Sequence, residues 1–235
     1  MPARRGRTHR DHLGEFPAPM RPAQQGADHG ACRGGAEAGT AHNPAMLTIR
    51  PLTPARWRDL EAIFNARGCS VARGCWCMYY RRSGRRAPLP PGTTFAQANR
   101  LDLKALVDAG EFTGLIAYRG RAPVGWLSLG PREGYAKLRR SPVMKAVDDR
   151  PVWSIICFVV PVEFRGAGVA TALLDGAIGF ARKKKVQLLE AYPVDKRGRS
   201  HDDAMWFGAK SMFDKAGFKE VARRKPARPV VRRRP

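Results

Sequence analysis

The pattern of apolar and polar positions is clearest in the central part of the chain. Residues 153–160, WSIICFVV, form an apolar and β-branched run that predicts a buried strand. A glycine-containing turn follows at residues 165–168, RGAG, and apolar residues then recur at helical spacing at Val169, Leu173 and Ile178. The sequence therefore predicts a strand, a turn and a helix that ends near residue 184.

The same patterns predict further elements on both sides of this unit. Before it we expect strands at 47–50, 112–119 and 123–129 and helices at 54–65 and 95–109. After it we expect a helix at 204–216 and strands at 186–192, 218–222 and 230–232. Because this order contains hairpins and one strand–helix–strand crossover, it predicts an α/β fold with a mixed sheet of about six or seven strands and helices on both faces.

The first 45 residues differ in composition from the remainder of the chain. They are rich in Gly, Ala, Pro, Arg and His, and they contain almost no bulky aliphatic side chains. Such a segment cannot bury enough apolar surface to offset the entropy lost on ordering it, and it lacks the apolar region of a secretory signal. We therefore expect a disordered N-terminal extension at 1–45 and one folded domain at 46–235.

The charge of the chain is strongly positive. Lysine and arginine number 43 against 20 aspartates and glutamates, which gives a formal net charge of +23. This excess favours polyanionic partners, such as nucleic acid, the ribosome or a phosphate-rich cofactor. No apolar run approaches the roughly 20 residues of a membrane helix, so we expect no membrane partner.

Five cysteines occur, at positions 32, 69, 75, 77 and 157. This odd and unevenly spaced set predicts free thiols in a reducing compartment, so we expect a cytoplasmic protein. Three of the cysteines lie close together at 69–77, but their spacing departs from the paired C-x2-C pattern of zinc sites and no histidine lies nearby. The sequence therefore predicts no metal site.

The RGAG turn has a chemical consequence, because the first N–H groups of a helix have no partner inside the helix and carry the positive end of its dipole. Glycines allow an anion to approach that backbone closely. The turn does not match a Walker loop, since Val169 follows Gly168 where lysine is required. It lacks the third glycine of a dinucleotide loop, since Thr171 takes that position. It does match Arg-x-x-Gly-x-Gly/Ala, over residues 165–170.

This motif, together with the order of predicted elements, resembles the coenzyme A pyrophosphate loop of the GNAT superfamily of N-acetyltransferases. The resemblance extends from Met46 to the end of the sequence. The stretches GPREGYAKLRRS, VDD-x-PVW and CFVV are also similar to a bacterial subgroup of that family. The resemblance implies the GNAT acyl-CoA N-acyltransferase fold and acetyl-CoA as the cosubstrate.

In the family, the pantetheine arm of coenzyme A inserts like an extra strand between the central strand and the next one. The resemblance implies that Phe158 and Val160 make these backbone contacts, with the N–H of Val160 pointing at the thioester carbonyl. The backbone N–H groups of the turn would hold the pyrophosphate, namely those of Arg165, Gly166, Ala167, Gly168, Val169 and Ala170. The basic run 182–185 could bind the 3′-phosphate, or it could complement the dipole at the helix end.

The catalytic assignments implied by the resemblance are less complete. Family members often carry a tyrosine in the last helix that protonates the departing thiolate, and Phe213 takes that position here. We expect Phe213 to pack along the pantetheine, while Ser211 or Tyr192 supplies the proton or none is needed. Glu190 is the preferred general base for the acceptor amine. It shares a strand face with Tyr192, and the other candidates are Asp195, His201, Asp202 and Asp203.

The family layout places two loops beside the acceptor site. In residues 66–92, Trp76, Tyr79 and Tyr80 either form a wall of the substrate pocket or belong to a loop that Trp76 fixes to the core. Residues 131–151 form a basic excursion between two strands that could gate the site. Sequence alone leaves these alternatives open.

The function implied by the resemblance is transfer of an acetyl group from acetyl-CoA to a primary amine, which attacks the thioester directly. The acceptor would be a small molecule or a peptide, and the protein could be a homodimer. Two alternatives stay open. Phe213 favours a non-catalytic or degenerate CoA-binding regulator, whereas the net charge favours a basic protein associated with nucleic acid or the ribosome that uses the fold as a binding module.

Overall fold

The computed structural model describes residues 47–82, 84, 88–195 and 205–235, and these residues contain one seven-stranded sheet. The strands are β1 (Leu47–Pro51), β2 (Gly114–Arg119), β3 (Ala122–Pro131), β4 (Trp153–Val159), β5 (Leu189–Ala191), β6 (Lys219–Arg223) and β7 (Pro229–Arg233). Their order is β1-β2-β3-β4-β5-β7-β6, and every neighbouring pair is antiparallel except β4–β5. The prediction of a mixed α/β sheet is confirmed. The extension at 1–45 lies outside the described residues and stays a prediction.

Helices cover both faces of the sheet, as expected. They are α1 (Trp57–Asn65), α2 (Ser70–Cys75), α3 (Phe95–Asp108), α4 (Ala136–Arg140), α5 (Val169–Lys183) and α6 (Lys210–Lys215). On β2, Leu115 and Ala117 pack in one core cluster with α5 and α6, whereas Ile116 and Tyr118 pack in a second cluster with α1 and α3. Because alternate residues of a strand point to opposite faces, the two clusters lie on opposite sides of the sheet.

Two elements, β5 and α6, differ most from their predicted lengths, and each has a tertiary reason. β5 begins at Leu189 rather than at 186, because Val186 closes the end of α5 by donating its N–H to the carbonyl of Ala181 (2.9 Å). α6 begins at Lys210 rather than at 204, because Trp206 and Gly208 accept backbone hydrogen bonds from Phe158 of β4 and from Val194. Conversely, the predicted loop at 66–92 contains α2 and the excursion at 131–151 contains α4.

Candidate active site

β4 contains a bulge near its centre. Its pairing with β3 shifts by one residue between Ser128 and Leu129, which leaves Ile156 as an extra residue in β4. A bulge of this kind bends the strand and changes the direction of the side chains that follow it. The parallel pairing of β4 with β5 ends at Ile155, so the two strands separate beyond the bulge.

Residues 205–209, which we call the gap segment, lie between the separated ends of β4 and β5. On one side, the N–H of Phe158 donates to the carbonyl of Trp206 (N···O 2.6 Å). On the other side, the N–H of Val194 donates to the carbonyl of Gly208 (2.9 Å), and the N–H of Lys210 donates to the carbonyl of Val194 (2.9 Å). The Phe158 N–H that the resemblance assigns to pantetheine is therefore bonded to the chain itself.

The gap segment packs directly on two phenylalanines. A Cβ atom added to Gly208 would lie 2.7 Å from Met212 Cε, 3.0 Å from Phe213 Cε2 and 3.3 Å from Phe158 Cε2. Gly208 also has a φ of 77°, a left-handed conformation that favours glycine. Phe213 is fully buried with its ring 6.2 Å from that of Phe158, so the position of the family tyrosine provides packing and no hydroxyl.

The RGAG turn leads into the start of α5 with its backbone exposed. Gly166 and Gly168 have φ values of 74° and 76°, which favour glycine, and no atom would meet a Cβ at either position within 4 Å. Gly168 is the N-cap of α5, and no side chain caps the helix there. Residues 166–168 are exposed, whereas Val169 is buried. The first N–H groups of α5 thus face open space, which suits an anion.

Arg165 and Val160 fix the turn to the end of β4. The Arg165 guanidinium donates to the carbonyl of Val160 (3.1 Å) and to the carbonyl of Gly68 (2.8 Å). Val160 is half-buried and follows the last residue of β4 directly. The side chain of Arg165 therefore positions the turn relative to the strand, which is a role that the sequence did not predict.

The basic run 182–185 lies at the other end of α5. A helix of 15 residues is about 22 Å long at 1.5 Å per residue, so this run is far from the RGAG turn. All four residues are exposed, and Lys184 lies over the ring of Phe180 at 5.9 Å. This placement favours the interpretation of a basic helix end that complements the dipole.

Glu190 is enclosed in a buried network of charges and hydroxyls. Its Oε1 accepts from Arg132 (2.6 Å) and from the Tyr192 hydroxyl (2.5 Å), and its Oε2 accepts from Arg232 (2.7 Å). The Glu190 side chain is completely buried. Burial and then the Glu190 charge raise the pKa of Tyr192. This geometry does not suit a general base, because an acceptor amine could reach Glu190 only by breaking two ion pairs. The sequence-based choice of Glu190 and Tyr192 thus finds no geometric support.

Among the remaining candidates for acid and base, the structure places two. Ser211 is exposed on α6, and Asp195 forms an ion pair with Arg223 at 2.7 Å. His201, Asp202 and Asp203 lie outside the described residues.

Thiols line the face of β4 opposite α5. The indole N–H of Trp126 donates to Cys77 Sγ (3.3 Å), and the thiols of Cys77 and Cys157 share a hydrogen bond that lowers the pKa of Cys77 and raises that of Cys157. Burial raises the pKa of Cys75 to about 11. Among the described residues, no group of three His, Cys, Asp or Glu side chains is placed to hold a metal ion.

Trp76 belongs to the core, whereas its tyrosine neighbours do not. Trp76 is buried and packs on the rings of Trp57 (5.7 Å) and Phe64 (4.9 Å). Tyr79 is 43% exposed and Tyr80 is half-buried. The loop is therefore fixed to the core through Trp76, and only the two tyrosines are placed to contact a ligand.

Two features of the site were missed at the level of sequence. Arg132 pairs with a carboxylate 58 residues away, and no local pattern signals such a contact. The gap segment had a signal: Gly208 falls inside the predicted helix at 204–216, where glycine is unfavourable by up to about 1 kcal/mol relative to alanine. That glycine, preceded by Trp206 and Phe207, indicated a later start for the helix.

Comparison of the sequence with known protein families finds a match. A model described as the Acetyltransferase (GNAT) family matches residues 77–201, just over half of the chain. A search of curated sequences finds no match. None of the helices among the described residues is both long and apolar enough to span a bilayer.

Several solved structures resemble the chain over about four fifths of its length. PaiA N-acetyltransferase from Thermoplasma acidophilum, in complex with coenzyme A, is 14% identical, with 81% of this chain and 99% of that chain covered and a TM-score of 0.44. The ribosomal-protein-alanine N-acetyltransferase of Brucella melitensis is 20% identical, with 80% and 99% covered and a TM-score of 0.45. A mosquito arylalkylamine N-acetyltransferase-like protein, 5b, is 11% identical, with 81% and 100% covered and a TM-score of 0.48.

Proposed function

The chain belongs to the GNAT family of acetyltransferases, and from this premise we propose that it transfers the acetyl group of acetyl-CoA to a primary amine by direct attack on the thioester. The observation that carries the proposal is the exposed start of α5 after the RGAG turn. Acetyl-CoA would supply an activated acetyl group and a thiol leaving group. The residues of the chain would bind and orient it, so much of the acceleration would come from positioning.

The pyrophosphate would lie against the backbone of residues 166–170. These residues combine N–H groups that no side chain of the described residues caps, the positive end of the α5 dipole and two glycines at which an added Cβ would meet no described atom within 4 Å. The Arg165 guanidinium would hold the turn in place through the carbonyls of Val160 and Gly68. Phosphate binding by this surface therefore needs no rearrangement of the turn.

The thioester would lie at the end of β4. Val160 follows the bulge at the point where β4 has separated from β5, and its N–H is our candidate donor to the thioester oxygen. A donor of this type contributes about 3 kcal/mol to lowering a barrier. We assign no chemical step to Glu190, because both of its oxygens are bonded. The acceptor amine would lose its proton to water.

The substitution Gly168→Glu tests the cofactor site. A glutamate there places bulk and a negative charge against the pyrophosphate, so we expect its affinity for acetyl-CoA to fall at least ~10-fold, which is about 1.4 kcal/mol. Calorimetry on the wild type and the variant gives the two affinities. Equal affinities, or no binding by the wild type at millimolar acetyl-CoA, would contradict the assignment.

Gly110→Glu is the matched control for this substitution. Gly110 has a φ of 77°, close to the 76° of Gly168, and a Cβ there would also meet no atom within 4 Å. It follows α3, and Phe112, two residues later, packs on Phe180 (ring centres 4.5 Å apart) near the end of α5 that is remote from the RGAG turn. The control variant therefore carries the same strain and the same charge change, and it should bind acetyl-CoA as the wild type does.

A second candidate function is a regulator that binds coenzyme A without catalysis. The bond between Phe158 and Trp206 and the phenyl ring at Phe213 favour it, because both features reduce what the thioester end offers to a reaction. Release of free thiol from acetyl-CoA, measured across a panel of amines, separates the two functions. Binding without release for every amine would favour the regulator.

A further inference from the structure

Seven cations in the described residues lie over an aromatic ring, and three of these pairs involve the rings of Tyr135, Tyr79 or Phe207. Arg81 lies 4.5 Å from the centre of the Tyr135 ring, Lys137 lies 3.3 Å from Tyr79, and Arg228 lies 4.5 Å from Phe207. We call these six residues the aromatic–basic cluster. A cation over an aromatic face is attracted by the ring, but by only about 0.5–2 kcal/mol, so the positive charge is not neutralised there.

The three cations of the cluster are half-buried, and they contrast with the two buried arginines of the described residues. Arg132 and Arg232 are both paired with carboxylates, those of Glu190 and Asp148. Within residues 47–82, 84, 88–195 and 205–235, by contrast, no ion pair links Arg81, Lys137 or Arg228 to a carboxylate. A charge removed from water without a partner is unfavourable, so an unpaired set of three needs an explanation.

Arg81 and Arg228 of the cluster also make few hydrogen bonds with their side chains. Among the described residues, Arg81 Nε is buried without a hydrogen-bond partner, and the Arg81 Nη2 donates only to the Tyr135 hydroxyl at 3.3 Å. Arg228 donates to the carbonyl of Tyr192 at 3.3 Å, and burial lowers its pKa. A guanidinium has five N–H donors, and towards the described residues each of these two arginines donates one hydrogen bond from its side chain.

The cluster lies beside the proposed reaction centre. Tyr80 connects the Arg228–Phe207 pair with the Lys137–Tyr79 pair. Its ring packs on Phe207 (5.6 Å), and its carbonyl accepts from the backbone N–H of Lys137 (3.1 Å). Tyr80 and Cys157 pack on the same apolar group, and Cys157 directly precedes Phe158 in β4. Phe207 belongs to the gap segment. A ligand bound by the cluster would therefore lie next to the end of β4.

We propose that the acceptor amine carries an anionic group, a carboxylate or a phosphate, which binds between Arg81, Lys137 and Arg228. This inference rests on the proposed function. An anion would complete the hydrogen bonds of the guanidinium groups, which match carboxylate and phosphate geometry in pairs. The same three charges repel a polycationic acceptor, so they discriminate against polyamines as well as for acidic amines.

Matched amines test the preference. Phenylalanine differs from phenethylamine by a carboxylate, and phosphoethanolamine differs from ethanolamine by a phosphate. We expect kcat/KM of the wild type to be at least ~10-fold higher for the anionic member of one pair, and which pair responds tells carboxylate from phosphate. Equal kcat/KM values within both pairs, or higher values for phenethylamine and ethanolamine, which lack the anionic group, would overturn the proposal.

Variants locate the effect. Arg228→Gln and Arg81→Gln should each lower the ratio of kcat/KM between the amine with the anionic group and its partner without that group, and Arg228→Lys should retain part of this ratio. Arg121→Gln is the control, because Arg121 is an exposed arginine in the turn between β2 and β3. Loss of the preference in the control to the same extent would show that net charge, rather than the cluster, produces it.

If none of the four amines reacts, a binding measurement tests whether the three cations form an anion site. Inorganic phosphate and acetate are added to the wild type and to the Arg81→Gln/Arg228→Gln double variant, with chloride at equal ionic strength as background. We expect at least one of the two anions to raise the melting temperature of the wild type more than that of the double variant. Equal shifts for both anions would overturn the proposal. If acetyl-CoA does not bind but an anion still raises the melting temperature of the wild type more than that of the double variant, the proposed function fails and only the anion site between the three cations remains.

Discussion

At the scale of single residues, the buried charge of Glu190 is compensated by ion pairs. Its carboxylate lies between two guanidinium groups, and Arg232 makes a further ion pair with Asp148 at 2.8 Å. The Tyr192 hydroxyl also bonds to Ser154 (3.1 Å), so the network joins β4, β5 and β7. Replacing one member of a buried pair is costly because the partner charge stays buried.

Glu190→Gln should therefore act on stability more than on chemistry. We expect it to lower the free energy of unfolding by about 3–5 kcal/mol, measured by urea denaturation, while the affinity for acetyl-CoA of the folded fraction is unchanged. Glu111→Gln, at an exposed glutamate after α3, is the control and should leave stability unaltered. A variant as stable as the wild type with much lower kcat would instead support the general-base role.

The residues of this network illustrate what sequence can and cannot predict about a site. The RGAG turn was identified from a local pattern, because its two left-handed glycines and the start of the helix that follows are set by adjacent residues. The partners of Glu190 lie 58 and 42 residues away in the chain, so no spacing rule connects them. For this reason a buried ion-paired carboxylate was indistinguishable from a general base.

At the scale of elements, the absence of two side chains allows α5 to approach the sheet closely. A Cβ at Gly125 of β3 would lie 2.6 Å from Val169 Cγ1, and a Cβ at Gly176 of α5 would lie 2.6 Å from Ile49 Cγ2. Contacts this short do not occur between real side chains. These glycines therefore set the distance between α5 and strands β1 and β3, and with it the position of the α5 start.

Gly176→Ala and Gly179→Ala should have opposite effects within the same helix. Alanine is favoured over glycine in helix interiors by up to about 1 kcal/mol, and a Cβ at Gly179 would meet no atom within 4 Å. Gly179→Ala should thus raise the melting temperature, whereas Gly176→Ala should lower it because Ile49 must move. Thermal denaturation measures both melting temperatures. Stabilisation by both variants would show that Ile49 of β1 moves to accommodate the added Cβ without loss of stability.

Elements with strong periodicity were predicted closely, and those shaped by distant contacts were not. The predicted helices at 95–109 and 168–184 correspond to Phe95–Asp108 and Val169–Lys183. β5 and α6 were predicted too long, because the end of α5 and the gap segment use residues that their apolar patterns assigned to a strand and a helix. Such competition depends on tertiary structure and is not visible in a local window.

At the scale of the whole molecule, the excess positive charge is unevenly placed. Among the described residues, one cleft of about 580 Å³ is lined by six cations, of which Arg150 and Arg232 are ion-paired with Asp148; the other four are Lys215, Lys219, Arg233 and Arg234. Surfaces of this kind attract polyanions. Association with nucleic acid or the ribosome, and a homodimer, stay predictions from the sequence.

Asp148 links the excursion at 131–151 to β7, and this link should depend on pH. Hydrogen bonds from Arg232 and then Arg150 hold the pKa of Asp148 well below its usual value. The stabilisation is therefore present above the unfolded pKa of about 3.9 and is lost as pH falls below it. We expect the melting temperature of wild type to exceed that of Asp148→Asn at pH 6, with the difference narrowing towards pH 3.

The neighbouring Asp149→Asn is the control for this titration. Asp149 is exposed and, among the described residues, belongs to no ion pair. Its substitution should change the melting temperature little at either pH. A difference between wild type and Asp148→Asn that stays constant from pH 6 to pH 3 would contradict the role given to the ion pair with Arg232.

The gap segment has a consequence for the affinity of the cofactor. If pantetheine pairs with Phe158 as the family resemblance implies, the Trp206 carbonyl is an intramolecular competitor for the same N–H. A tethered competitor acts at a high effective concentration that dilution cannot reduce. The observed affinity is then the intrinsic affinity multiplied by the fraction of molecules in which the segment has left β4. Whatever loosens residues 205–209 would tighten cofactor binding without touching a single cofactor-binding residue.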